Sequence, residues 1–244
     1  MKYDDWRLLN FKELPSTNDM ALEYAHNNKE NLVIKAEKQT HGRGRRGRSW
    51  TGCEGNLFFS LLLEFDIKKL GSLVIIASYS LLQSIKQLKP ETDVCLKWPN
   101  DVLINGAKVS GILMEKAEGN YIVIGIGINV AQSPKDGKIL YPTVSLKEAG
   151  INISCDDFLK LYLKNFTDNV NLYNAGKSSQ FCELWKANAK GLGEKIIVKQ
   201  NNKILKGIFK GIDENAGLLL ESNGEVHKIL AGDVFYEREC DDGI

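Results

Sequence analysis

The sequence predicts an α+β chain: helices and strands interleave over residues 1–190, and a small β-barrel or meander occupies residues 191–244. Three observations carry this prediction. Residues 57–63 form a near-continuous apolar run of strand length, the pattern of a buried strand. Residues 70–88 keep helical length and period until Pro90 closes them. Beyond Gly191-Leu192-Gly193 the pattern changes to short strands at close intervals, which places the boundary between a large unit and a small C-terminal one there.

In chain order, Ser16 with Asp19 three residues on is a helix-start signature leading into residues 20–25. Residues 32–36 read as a strand that delivers Gln39 and Thr40 to a basic loop. Residues 94–98 form a strand halted by Pro99, and residues 101–104 and 108–115 flank Asn105-Gly106, a strong hairpin signal. Residues 121–130 form another apolar strand, with Gly125 and Gly127 two apart on one face. Ser154 starts a helix to about Asn174 with Asp157 at the capping-box position, and residues 180–190 form a second helix burying Phe181, Leu184 and Trp185. The last strands are residues 195–199, 204–209, 217–221, 225–230 and 234–236, separated by the turn material Asn201-Asn202, Asp213-Glu214-Asn215 and Asn223-Gly224.

Composition narrows the class. With 43% hydrophobic and 26% charged residues and a formal net charge of +1, the 244-residue chain reads as a soluble globular protein rather than a general nucleic-acid coat. Cys53, Cys95, Cys155, Cys182 and Cys240 show no CxxC spacing, so neither a zinc site nor a disulfide framework is implied and a reducing, cytoplasmic location is expected. Charges at Lys2, Asp4, Asp5 and Arg7 replace the apolar run of a signal peptide, and no apolar stretch is long enough for a bilayer.

The cations are nevertheless concentrated. Residues 38–53 carry Lys38, Arg43, Arg45, Arg46 and Arg48 and no carboxylate. Gly42, Gly44 and Gly47 among them permit close backbone approach, so the loop can offer N–H donors and guanidinium forks to an anion. The three glycines literally satisfy GxGxxG, but a strand rather than a helix follows, and the dinucleotide reading fails. The P-loop pattern is absent. What remains is a set of polar residues at element ends: Ser16-Thr17-Asn18, Gln39, the arginine loop, Lys97, Asn100-Asp101, Lys108 and Asn129.

Five blocks in order, Ser16-Thr17-Asn18, residues 39–50, Lys97-Trp98-Pro99-Asn100-Asp101, residues 108–113 and residues 125–129, resemble the biotin protein ligases. The likeness runs from about residue 12 to the end of the small C-terminal unit. It implies a mixed sheet with packed helices, like the class II aminoacyl-tRNA synthetase core, plus an SH3-like barrel. It also implies an enzyme that makes biotinyl-5'-AMP from biotin and MgATP, then passes biotin to one lysine of a biotin carboxyl carrier protein. By resemblance, Arg45, Lys97 and Lys108 carry the chemistry. Ser16, Thr17, Asn18, Gln39, Gly42, Arg43, Gly44, Arg45, Lys108 and Gly111 hold biotin. Arg45, Arg46, Arg48, Trp50, Asn100 and Asn129 hold the nucleotide, Trp50 facing the adenine. Asp101 is the candidate partner for Mg²⁺ or for Lys97. Ser110 departs from the Gly or Ala common in relatives.

Because like charges repel and glycines cost entropy to order, the basic loop is expected to be mobile without ligand, and biotin or its adenylate to order residues 42–50. Only 15 residues precede Ser16, so no DNA-binding domain and no direct DNA contact are expected, while a homodimer is possible. Two other classes stay open at this point: a lipoate–protein ligase-like acyltransferase, and a nucleic-acid-binding module using the arginine loop. Pyrophosphate release that needs biotin and ATP separates all three.

Overall fold

The computed structural model describes residues 2, 5–27, 30–135, 141–200 and 203–236. Seven strands, β1 (Arg7–Leu14), β2 (Leu32–Gln39), β3 (Leu57–Glu64), β4 (Val94–Lys97), β5 (Asp101–Ile104), β6 (Ala107–Lys116) and β7 (Tyr121–Ile128), form one sheet in the order β1-β2-β3-β7-β6-β5-β4. The β1–β2 pair is parallel and every other neighbouring pair antiparallel, so the sheet is mixed. Asn105 (φ 50°) and Gly106 (φ 78°) both take positive φ between β5 and β6, the turn that matches the right-handed twist of the flanking strands.

Four helices accompany the sheet: α1 (Thr17–Asn27), α2 (Leu70–Leu88), α3 (Cys155–Asn174) and α4 (Ser178–Ala187). Ser154 caps α3, its Oγ accepting from Asp157 N–H at 3.1 Å. Strand periodicity sends alternate side chains to opposite faces. Leu57, Phe59, Leu61 and Leu63 of β3 and Ile122, Ile124, Ile126 and Ile128 of β7 bury against α2 and α3 in the large core. Each such side chain contributes roughly 1.5–3 kcal/mol, so this face supplies most of the stability. On the opposite face α1 covers a smaller cluster of Ala21, Ala25, Leu32, Ile34, Ala36, Leu62 and Val123.

The C-terminal strands β8 (Lys195–Lys199), β9 (Ile204–Ile212), β10 (Leu218–Ser222), β11 (Glu225–Ile229) and β12 (Asp233–Tyr236) form a separate antiparallel sheet, ordered β11-β10-β9-β8-β12. This five-stranded sheet is consistent with the expected SH3-like unit, though no pairing closes β11 onto β12 among the described residues. It docks on the larger unit through Trp98 Nε1 donating to Ala216 O (2.7 Å) and Ser72 Oγ donating to Glu214 O (2.9 Å). A Cβ on Gly71 would lie 2.0 Å from Asn215 O, so the contact requires glycine there. The Asn201-Asn202 turn and Cys240 lie outside the described residues; the other four cysteines are free thiols. No described helix is long and apolar enough to cross a membrane.

Candidate active site

The face of the sheet opposite α2 and α3 carries a cavity of about 410 Å³. Its floor exists because β6 and β7 place glycines there. A Cβ on Gly127 would sit 2.4 Å from the Trp50 ring, one on Gly111 2.8 Å from it, and one on Gly125 2.1 Å from Asn18 Oδ1. Three missing side chains thus let an indole and an amide rest on bare backbone. The Trp50 indole N–H is buried with no hydrogen-bond partner among the described residues, and Lys108 Nζ stands 5.3 Å from the ring centroid.

The basic loop forms one wall. Trp50 N–H donates to Gly42 O (2.8 Å) and Gly44 N–H to Arg48 O (2.7 Å), which pins the loop's two limbs together. Arg46 (φ 57°) and Gly47 (φ 73°) turn its tip through left-handed backbone. A Cβ on Gly42 would meet Trp50 O at 2.7 Å, so this glycine serves limb packing. The arginines then diverge. Arg43 pairs with Glu115 and Asp19, each at 2.7 Å. Arg46 and Arg48 both pair with Asp233 on β12, at 3.0 and 2.7 Å. Arg45 turns inward, its Nη1 donating to Asn100 Oδ1 at 3.3 Å. Burial pushes the Arg45 pKa down, opposed by the negative charges of Asp233 and Asp101.

Two lysines face Arg45's end of the cavity. Lys97 is 6% exposed with Nζ 3.9 Å from the Tyr141 ring centroid and 5.4 Å from that of Tyr236. Lys108 Nζ pairs with Asp101 Oδ1 at 2.6 Å, so the partner found for Asp101 is Lys108. No group of three or more His, Cys, Asp or Glu that could hold a metal occurs among the described residues.

At the other end the polar side chains are neutral and hydrogen-bonded to one another. Ser16, Thr17 and Asn18, at the N-terminus of α1, are 2%, 3% and 3% exposed. Gln39 Oε1 accepts from Thr17 N–H (2.8 Å) and from the Thr17 hydroxyl (3.1 Å), and Ser60 Oγ bridges Thr17 Oγ1 (2.8 Å) and Asn18 Oδ1 (2.6 Å). The cavity is therefore bipolar, cationic at one end and a neutral donor–acceptor array at the other.

Ser16, Thr17, Asn18, Gln39, Arg43, Gly44, Arg45, Arg48, Trp50, Lys97, Asn100, Asp101, Lys108, Gly111 and Asn129 all line this one cavity. Gly42 and Arg46 do not; Gly42 borders a second cavity on the outer flank of the loop. Asn129 is 2% exposed and its amide is taken up by Lys108 O, Val144 O and Asn56 Nδ2. Ser110 turns away from the cavity, donating to Gly127 O at 2.8 Å.

The chain is 33% identical over 232 residues to the biotin--[acetyl-CoA-carboxylase] ligase of Paracoccus denitrificans, covering 91% of this chain and 97% of that protein. The chain belongs to the biotin protein ligase family. The Biotin/lipoate A/B protein ligase family profile matches residues 11–129, and the biotin protein ligase C terminal domain matches residues 191–236. Identity to the bifunctional ligase/repressor BirA of Bacillus subtilis is 37% over 233 residues, 91% of this chain and 71% of that protein. The solved biotin protein ligase from Aquifex aeolicus in complex with biotin and ATP superposes with a TM-score of 0.83 at 28% identity, covering 94% of this chain and 97% of that one.

Within this biotin ligase fold, several site residues had escaped the sequence reading. Asn56 Oδ1 accepts the N–H groups of Val130, Ala131 and Gln132 at 3.0, 3.1 and 3.2 Å and so shapes the turn after β7. Ser60 is a lone hydroxyl in an apolar strand, a signal that was available. Glu115, Tyr141 and Asp233 carried none, because each is an ordinary residue until the fold sets it beside a cation.

Proposed function

We propose that this biotin protein ligase joins biotin to ATP in the bipolar cavity and then transfers the biotinyl group to a lysine of a biotin carboxyl carrier protein. The biotin carboxylate attacks the α-phosphorus and pyrophosphate leaves. The carrier lysine's amine then attacks the acyl carbon of biotinyl-5'-AMP, AMP departs, and a proton is lost to solvent. The obstacle is electrostatic. Two like charges about 4 Å apart repel by about 4 kcal/mol at an effective dielectric of about 20. Charge-assisted hydrogen bonds contribute about 1.5–3 kcal/mol each, so two or three fixed cations offset the repulsion.

The observation that carries this reading is the convergence of Arg45, Lys97 and Lys108 on one end of a cavity whose other end holds the neutral Thr17–Asn18–Gln39 array. In the proposal Arg45 and Lys108 take the carboxylate and acyl-phosphate, Lys97 faces the phosphates, and Thr17, Gln39 and the backbone at Ser16 and Arg43 take the ureido head. Asn18, Gly44 and Gly111 shape that pocket, Trp50 offers its ring to the adenine, and Arg48 and Asn100 assist at the phosphates. Arg46 and Gly42 act at one remove, through loop shape. Asn129 acts by supporting the cavity wall. No protein nucleophile is needed; alignment and preorganised charge supply the rate. Mg²⁺ is proposed to enter as part of the MgATP substrate, with Asp101, which lines the cavity, as the carboxylate to offer it.

In the proposal residues 1–190 serve as the catalytic unit and residues 191–244 as the small C-terminal unit, of which Asp233 and Val234 line the cavity. A cytoplasmic protein that makes no direct DNA contact and pairs with a second copy at the open edge of β1 completes the proposal.

The test is pyrophosphate release with biotin, lipoate or neither, alongside calorimetric titration with biotin. Release that requires biotin and ATP supports the reading. Equal rates with lipoate, or no heat with biotin in the presence or absence of nucleotide, overturn it. Steeply salt-dependent nucleic-acid binding indifferent to biotin also overturns it.

A further inference from the structure

Arg43 of the basic loop meets two carboxylates, Asp19 of α1 and Glu115 of β6, each at 2.7 Å, and Glu115 also reaches the neutral end of the cavity. Glu115 lies on the cavity side of β6, beyond Gly111 and Leu113. Its Oε2 accepts from Asn18 Nδ2 at 2.7 Å and from Arg43 Nη2 at 2.7 Å, while Oε1 accepts from Arg43 Nη1 at 3.1 Å. Two parallel bonds between guanidinium and carboxylate fix the orientation of both groups.

The contact with Asn18 propagates inward. An ionised carboxylate only accepts, so it must face the amide's NH₂, and Asn18 Oδ1 is thereby turned to Ser60. Ser60 Oγ, fully buried and 2.6 Å from that oxygen, must donate its one hydrogen there. It is then an acceptor toward Thr17 Oγ1, 2.8 Å away. The Thr17 hydroxyl hydrogen goes to Ser60 or to Gln39 Oε1 at 3.1 Å, and both of these only receive it. Thr17 accordingly presents a lone pair to the cavity. Gln39, whose Oε1 is held by Thr17 N–H at 2.8 Å, keeps its NH₂ as a donor.

We propose that Glu115 is a positioning residue for the biotin reaction. Through Asn18, Ser60 and Thr17 it sets the hydrogen-bond polarity that a ligand carrying both N–H and C=O on one head requires, and through Arg43 it docks the basic loop on the same pocket. This rests on the function proposed above. Head recognition and loop docking are thus coupled in one side chain: a head that fits the polarised pocket favours the closed loop.

The experiment compares wild type, Glu115→Gln, Glu115→Asp and Ser60→Ala as full chains. It reads KM for biotin and for ATP from pyrophosphate release, and the rate of proteolytic cutting within residues 42–50 with saturating biotin. Glu115→Gln is expected to raise the biotin KM about tenfold or more while the ATP KM stays within about twofold, and to speed loop cutting. Glu115→Asp, which keeps the charge, recovers part of both. Ser60→Ala breaks the relay without touching Arg43, so it raises the biotin KM and leaves loop cutting at the wild-type rate; it carries the test if Glu115→Gln fails to fold. An unchanged biotin KM in Ser60→Ala and Glu115→Gln, or equal rises in both KM values, overturns the inference. A wild type that releases no biotin-dependent pyrophosphate overturns the proposed function instead.

Discussion

The two faces of the seven-stranded sheet are built from alternate residues of the same strands, and they do opposite work. Across the β3–β7 pair, Leu57↔Ile128, Phe59↔Ile126 and Leu61↔Ile124 fill the space under α2 and α3. One residue along, the register reads Phe58↔Gly127 and Ser60↔Gly125. One face is packed with branched and aromatic side chains, and the other is emptied by glycine to make a cavity floor. At the cavity floor, stability and ligand space therefore share a backbone while drawing mainly on alternate positions, with Leu62 and Val123 of the second face packed under α1. A substitution's effect should depend on the parity of its position in the strand.

The largest break in that comparison comes from the packed face. Phe59→Ala, at a fully buried site, is expected to cost about 3–5 kcal/mol of stability, read from denaturant midpoints, while the KM values of whatever remains folded stay at wild type. On the emptied face the opposite split is expected. Gly127→Val, whose first added carbon alone would sit 2.4 Å from the Trp50 ring, should lower kcat/KM about a hundredfold for a modest loss of stability. A Phe59→Ala effect on KM alone, or a Gly127→Val effect on stability alone, would break the division.

Arg45→Gly sharpens the comparison at the cationic end. It removes the inward-facing guanidinium and should release activated biotin, read as a rise of about tenfold in labelling of bystander proteins relative to the carrier. Labelling confined to the carrier would count against it.

The smallest effect concerns Glu148, behind the cavity, where its Oε2 accepts from Ser145 N–H at 2.7 Å. The Lys135 ammonium, 2.9 Å from Oε1, holds the Glu148 carboxyl down at about 2 against an ordinary 4.5. Because the folded value is depressed, the stabilisation is present above pH 4.5 and is lost as pH falls toward 2. Wild type and Glu148→Gln should accordingly differ in thermal midpoint at neutral pH and converge at the acid end.

Most of the elements were legible because their signals are local. The β5–β6 hairpin follows from Asn105-Gly106, α3 starts where Ser154 and Asp157 place it, and β3 and α2 follow from their periods. The order of the C-terminal strands, β11-β10-β9-β8-β12, was not, since which strands become neighbours is a long-range matter that no local pattern encodes. In the site, the glycine-rich and basic residues were visible because their spacing is unusual. Leu184 was expected to be buried with Phe181 and Trp185, yet only those two are in the core, since helix phase at the edge of a bundle leaves the third position half covered.

The sequence by itself determined the periodicities, the turns and the concentration of guanidinium groups in residues 42–50, because these depend on neighbours along the chain. Only the tertiary structure decided which carboxylates answer them. Glu115 is 72 positions from Arg43 and Asp233 is 185 from Arg48, yet each pair meets at 2.7 Å. Coulomb attraction and hydrogen bonding act through distance in space, which the fold sets and the order of residues does not display.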